Sequence, residues 1–229
     1  QELLNKPILN ITRRGKYLLF HSSSGAMLWH LGMSGRVIQY PSPDKVDKHT
    51  HAIFKFEPET FLHFIDPRRF GCIMWASMDE GHPLINHLGP DPLGPEATPG
   101  FMKEQARQCR APIKSFIMDS KRITGVGNIY ACESLFSAGI NPKRQAGKLT
   151  LPDWEKLLAS LRQTLNKSIQ SGGTTLRDFF NPDGSAGYYS IQLSVYGKVG
   201  QPCPTCKRKI SRIMQSGRST FYCKTCQKR

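Results

Sequence analysis

The chain has 229 residues, 38% of them hydrophobic, and a formal net charge of +15. That length suits two ordinary domains or one large one, and that apolar share supports a packed core, which excludes wholesale disorder. No stretch reaches the ~20 consecutive apolar residues of a membrane span, and the opening dozen residues lack the basic start and small-residue cleavage site of a secretory signal.

In chain order, residues 1–75 read as strands. Short apolar or alternating runs at 17–20, 26–30, 36–40, 52–56, 60–65 and 71–75 are separated by turn residues at 22–25, 32–35, 41–44 and 57–59. This punctuation predicts a β-sandwich over residues 1–88. Residues 88–100, LGPDPLGPEATPG, are rich in proline and glycine and predict a linker over 89–100. The periodicity then becomes helical. Short helices are expected at 112–119 and 129–138, and a long one from Thr150, with Pro152 and Asp153 in its first turn, to about Gln170. Its buried stripe is expected to be Trp154, Leu157, Leu158, Leu161, Leu165 and Ile169. A helical domain thus covers 101–196, and residues 197–229 form a separate C-terminal module. The fold class is α+β, multidomain.

The charge is one-sided. Residues 1–100 carry ten basic and ten acidic residues, whereas 101–229 carry 22 basic and 7 acidic. From Lys198 to Arg229 there are nine basic residues and no acidic one. Such a field suits a polyanion, because each neutralised phosphate releases counterions.

Of seven cysteines, four form two CxxC pairs, Cys203 with Cys206 and Cys223 with Cys226, sixteen residues apart. Two such knuckles bring four thiolates to the corners of a tetrahedron, so the site is structural with no open position. Zinc is the natural occupant, and a rubredoxin-like iron site is the rival that sulfur ligands alone do not exclude. An odd cysteine count speaks against a disulfide framework and for a reducing compartment. Between the knuckles, 209–213 and 219–222 are expected to pair around a turn at 214–217, with Arg218 beside it. A basic two-stranded ribbon can enter a DNA groove, though ribbons also bind RNA and proteins.

Three further motifs are less specific. ITGVGNIY at 123–130 puts Gly125 and Gly127 before a helix, leaving backbone amides and Asn128 for a phosphate; an ordinary loop is an equal alternative. DPRRFG at 66–71 and HLGMSG at 30–35 offer Arg68, Phe70 and Met33 as a cation, an aromatic wedge and a thioether for a duplex. Spacing alone favours a turn arginine with two core residues. GGTTLRDF at 172–179 reads as a loop able to close on a ligand, or as plain surface. Arg13, Arg14, Lys16 and Lys114 are individually ordinary surface cations, and no serine- or metal-hydrolase motif is present.

As a set and in this order, RRGKYL, HLGMSG, DPRRFG, GVGNIYACESLF, GGTTLRDF and GRSTFYC resemble the bacterial formamidopyrimidine-DNA glycosylases from about Arg13 to Cys226. The resemblance implies an N-terminal β-sandwich, a helix-two-turn-helix domain and a zinc ribbon with one structural zinc ion and no organic cofactor. It implies a monomeric bifunctional glycosylase and AP lyase of base excision repair, acting in the bacterial cytoplasm on duplex DNA that carries 8-oxoguanine or formamidopyrimidines, with β,δ-elimination. By the same match Asn128, Arg218 and Lys114 hold phosphates, and Lys16 supports catalysis near the lesion. Met33, Arg68 and Phe70 fill the gap left by the flipped nucleotide. Leu176, Arg177, Asp178 and Phe179 close over the damaged base. The family's nucleophile is an N-terminal proline amine beside a glutamate; this sequence opens Gln1-Glu2, and the chain as it stands is expected to lack the nucleophile and to be inactive. A non-catalytic lesion-binding module and an endonuclease VIII-type enzyme for oxidised pyrimidines are the alternatives. HLGMSG, DPRRFG and GGTTLRDF favour the purine-directed branch.

Overall fold

The computed structural model describes residues 5–77, 81–172 and 193–228. The chain divides into two compact units, one of residues 1–86 with 168–191 and one of 87–167 with 192–229.

The first unit is two antiparallel sheets. One has the order β1-β2-β3-β7, from β1 (Asn10–Arg14), β2 (Tyr17–Ser22), β3 (Gly25–His30) and β7 (Cys72–Ser77). The other has the order β4-β6-β5, from β4 (Arg36–Tyr40), β5 (Thr50–Phe56) and β6 (Thr60–Ile65). Alternation along β3 places Met27 and Trp29 in a core with Phe20 and Phe64, while Ala26 and Leu28 join Leu19 and Ala76 on the opposite face. Trp29 is fully buried, its ring centroid 5.0 Å from Phe20, 4.7 Å from Phe54 and 6.1 Å from Phe64. Such tilted aromatic contacts add about 0.5–1.5 kcal/mol each beyond the area they bury. Ile85, on the short helix α1 (Pro83–Asn86), packs against the second cluster.

In the second unit, α2 (Pro99–Gln105), α3 (Ile113–Ile117), α4 (Asn128–Ser137) and α5 (Leu151–Gln170) enclose Met102, Ile113, Ile117, Leu135, Trp154, Leu157, Leu158 and Leu161. Thr150 and Asp153 cap α5 reciprocally: the carboxylate accepts the Thr150 amide at 2.8 Å, and the hydroxyl accepts the Asp153 amide at 3.4 Å. The stripe departs from expectation at its end, where Ile169 is 62% exposed and Thr164 and Ser168 are buried instead. A 3.6-residue period carries the buried face from Leu161 to 164 and 168, leaving 169 on the flank. The proline-rich stretch before α2 is fastened into this unit by Arg162. Its guanidinium donates to the carbonyls of Pro92 at 2.8 Å, Ala97 at 3.1 Å and Gly94 at 3.4 Å.

The C-terminal ribbon is β8 (Ser211–Gln215) paired with β9 (Arg218–Tyr222). Its turn is tighter than expected. Gln215 faces Arg218 across two residues, Ser216 (φ 47°) and Gly217 (φ 70°), both left-handed as a type I′ hairpin requires. Met214, expected in the turn, is therefore a strand residue. Gln227 locks the ribbon to the end of α4: its side chain donates to the Ile140 carbonyl at 2.9 Å and accepts the Cys223 amide at 2.8 Å.

Candidate nucleic-acid interface

In the first unit, Met33, Arg68 and Phe70 stand on two loops, since β6 stops at Ile65. Met33 is 54% and Phe70 57% exposed, which removes the core alternative. The Arg68 guanidinium lies 4.9 Å from the centre of the Phe70 ring. Both loops are held by one residue that the sequence did not single out, Asp66. Its fully buried carboxylate accepts the Ser34 hydroxyl at 2.6 Å, the Gly71 amide at 2.7 Å and the Arg68 amide at 3.3 Å. Burial pushes the Asp66 carboxyl up, but the bonds from Ser34 and from the Gly71, Arg68 and Phe70 amides outweigh it and hold it below its usual value. The loops touch backbone to backbone. A Cβ on Gly32 (φ 63°) would meet the Phe70 carbonyl carbon at 2.5 Å and the Gly71 nitrogen at 2.6 Å.

Lys16 is exposed in the two-residue turn between β1 and β2. Burial first, and the Lys16 charge second, push the His30 imidazole down. A neutral ring suits its bond, for Nδ1 accepts the Gly32 amide at 3.1 Å. Lys16 thus sits beside the loop that carries Met33.

In the second unit, α4 begins at Asn128, and its preceding residue Gly127 provides no side-chain cap. Asn128 Nδ2 donates to the Ser219 carbonyl at 3.0 Å and Tyr196 Oη at 3.4 Å, which ties the helix start to the ribbon. Arg218 is exposed at the hairpin end of β9. Lys114 differs from the expectation of a surface cation. It is 1% exposed, and its ammonium donates to Thr220 Oγ1 at 2.7 Å and the Ser219 carbonyl at 3.3 Å. Burial pushes its pKa down, and the nearby Arg218 charge adds to this. Leu176, Arg177, Asp178 and Phe179 lie outside the described residues.

The four thiol sulfurs of Cys203, Cys206, Cys223 and Cys226 lie within 4.8 Å of one another, with Cys206–Cys223 at 3.4 Å and Cys203–Cys226 at 3.8 Å. Tetrahedral Zn–S bonds of ~2.3 Å place sulfurs about 3.8 Å apart, so the cage fits one zinc ion. Burial and the neighbouring thiols push Cys226 up to about 12, a cost that only a bound cation removes.

Residues 1–73 match the formamidopyrimidine-DNA glycosylase N-terminal domain, 88–180 its H2TH domain, and 200–229 the zinc finger found in FPG and IleRS. The formamidopyrimidine-DNA glycosylase of Acidithiobacillus ferrooxidans is 46% identical over 221 residues, covering 96% of this chain and 82% of that protein. The chain belongs to the formamidopyrimidine-DNA glycosylase family. The namesake of Marinobacter nauticus is also 46% identical, over all of this chain and 84% of its own length. Among solved structures, the MutM (Fpg) protein of Thermus thermophilus aligns with a TM-score of 0.87 at 38% identity, covering 97% of this chain and 83% of that one. The Lactococcus lactis Fpg bound to DNA containing an abasic site aligns with a TM-score of 0.88 at 32% identity, covering 98% and 83%. The family fold is thus an N-terminal β domain, a helical H2TH domain and a C-terminal zinc finger that holds one structural zinc.

Besides Asp66, the family motif GVGNIYACESLF hides a second positioning residue. Glu133 on α4 is 5% exposed, and its carboxylate accepts the amides of Ser194 at 2.8 Å, Val195 at 2.9 Å and Tyr196 at 2.8 Å. It fixes the chain just ahead of the ribbon, where Tyr196 meets Asn128. Its place in the helical register was legible in the sequence, but its partners were not.

Proposed function

We propose that this protein, in its intact form, excises oxidised purines from duplex DNA as a base-excision glycosylase and AP lyase, working as a monomer at the bacterial nucleoid. The observation that carries the reading is the pair of solvent-exposed apolar side chains, Met33 and Phe70, with Arg68 stacked on the ring and Asp66 fixing both loops. An enzyme that cuts a base–sugar bond must extrude the nucleotide, at a cost of a few kcal/mol. Side chains that occupy the vacated space lower that cost. Asn128 and Arg218 grip the backbone phosphates, Lys114 holds β9 in place for them, and Lys16 supports the chemistry from the first unit. Leu176, Arg177, Asp178 and Phe179 cover the extruded base. A purine-directed reading is supported by the names of the relatives and by a solved MutM complex with DNA containing carbocyclic 8-oxoguanine.

The test is a binding ratio. Phe70→Ala should weaken binding to a duplex with an abasic site while leaving affinity for undamaged duplex within twofold, because a wedge acts only once the stack opens. Equal losses on both duplexes would overturn the assignment.

A further inference from the structure

The second unit carries a cationic cleft of about 540 Å³, lined by Lys143, Arg144, Gln145 and Lys148. Two stretches without an acidic residue, 105–118 and 139–149, run side by side beneath it. The Ile113 amide donates to the Arg144 carbonyl at 2.7 Å, that of Ala146 to Ala111 at 2.9 Å, and that of Gly147 to Cys109 at 3.0 Å. The approach is close enough that a Cβ on Gly147 would stand 3.0 Å from the carbonyl oxygens of Ala106 and Cys109. Lys143 and Lys148 line the cleft, and both are exposed.

The cleft has an internal order. Arg144 is committed to the protein: its guanidinium pairs with Asp153 at 2.7 Å and donates to the Lys148 carbonyl at 2.8 Å. Lys143 is steadied over the Tyr222 ring at 5.8 Å. Arg218, Thr220 and Tyr222 alternate onto one face of β9, stepping by about 6.6 Å. Along that face stand Arg218 itself, then Lys114 on Thr220, then Lys143 on Tyr222. Gln215 Nε2 donates to the Pro142 carbonyl at 3.1 Å, so the hairpin turn and the cleft wall are joined. Two exposed cations, Arg218 and Lys143, therefore lie at the two ends of this face, with the buried Lys114 between them.

We propose that this cleft is a second phosphate-binding surface, which takes the backbone of the DNA flanking the lesion. Lys143 and Lys148 are its principal ligands, and Arg144 and Gln145 shape its wall. The inference rests on the DNA-repair reading but is separable from it. Each phosphate neutralised on duplex DNA contributes ~0.9 to the slope of log affinity against log salt, whatever the sequence.

The experiment compares the wild-type chain, Lys143→Ala with Lys148→Ala, and Arg218→Ala on two abasic-site duplexes, one trimmed close around the lesion and one with long flanks. The double variant should lose up to ~1.8 of the salt slope on the long duplex and keep the wild-type slope on the short one. Zinc content and melting temperature should match wild type, since both lysines are exposed. An unchanged slope on the long duplex overturns the proposal, and so does an equal loss on both. Arg218→Ala should lower the slope on both duplexes. If it changes neither, the primary phosphate grip fails, and that outcome is distinct from failure of the cleft.

Discussion

Asp66 shows how one side chain can set the shape of two loops at once. Its carboxylate accepts a hydroxyl from the loop of Met33 and amides from the loop of Arg68 and Phe70. Asp66→Asn replaces one acceptor oxygen by a donor facing N–H and O–H groups, and leaving such buried donors unpaired costs about 1–3 kcal/mol each. The variant should melt at lower temperature and should lose discrimination between abasic and undamaged duplex. The pH dependence has a definite sign. The folded-state pKa is lowered, so the stabilisation is fully present above the unfolded value of ~3.9 and is lost as pH falls through the lower folded value. Melting temperature of the wild type should therefore drop more steeply below about pH 4 than that of Asp66→Asn. Parallel curves would show that Asp66 does not carry its charge into the loops. None of this was legible beforehand, because sequence marks an aspartate before proline as a turn former and is silent on burial. The burial of Lys114 is hidden from the sequence for the same reason. Its ammonium is hidden under β9 by a strand more than a hundred residues away.

At the level of elements, strands and helices were legible where burial is one-sided. β2 to β7 follow runs of apolar residues, and α5 follows a 3.6-residue stripe capped by Thr150. β1 gives no such signal, because it is an exposed edge strand, NITRR, with no buried alternation to read. The ribbon turn was placed too early because Met214 and Gln215 carry no strand signal, whereas the left-handed pair Ser216-Gly217 is what the hairpin demands. The two knuckles were fully legible, since their spacing is itself the signal. Metal removal should therefore undo the ribbon rather than loosen it. Ligation contributes on the order of 10 kcal/mol to such modules, and β9 in turn positions Arg218 and the Ser219 carbonyl that holds Asn128. Cys223→Ser with Cys226→Ser should abolish zinc in elemental analysis and reduce binding to damaged and undamaged duplex alike. Zinc retained at one equivalent in that double variant would refute the four-thiolate site.

Across the whole molecule, charge and shape are divided between the two units. Residues 1–100 balance their charges, and the excess of basic over acidic residues lies in 101–229. The exposed side chains Met33 and Phe70 belong to the first unit, and Asn128, Arg218 and the zinc ribbon belong to the second. Affinity from counterion release should therefore reside in the second unit, and preference for a damaged site in the first. Arg218→Ala should lower affinity for damaged and undamaged duplex by the same factor and flatten the salt slope by ~0.9 on each. Phe70→Ala should leave the slope alone and compress the ratio of the two affinities. Since the two residues share no partner among the described residues, their effects on abasic-site binding should add to within about 0.5 kcal/mol in the double variant. A larger coupling would mean that the phosphate grip and the wedge engage as one step. Backbone bending by the grip would then be what opens the stack for Phe70, and the division of labour between the units would fail.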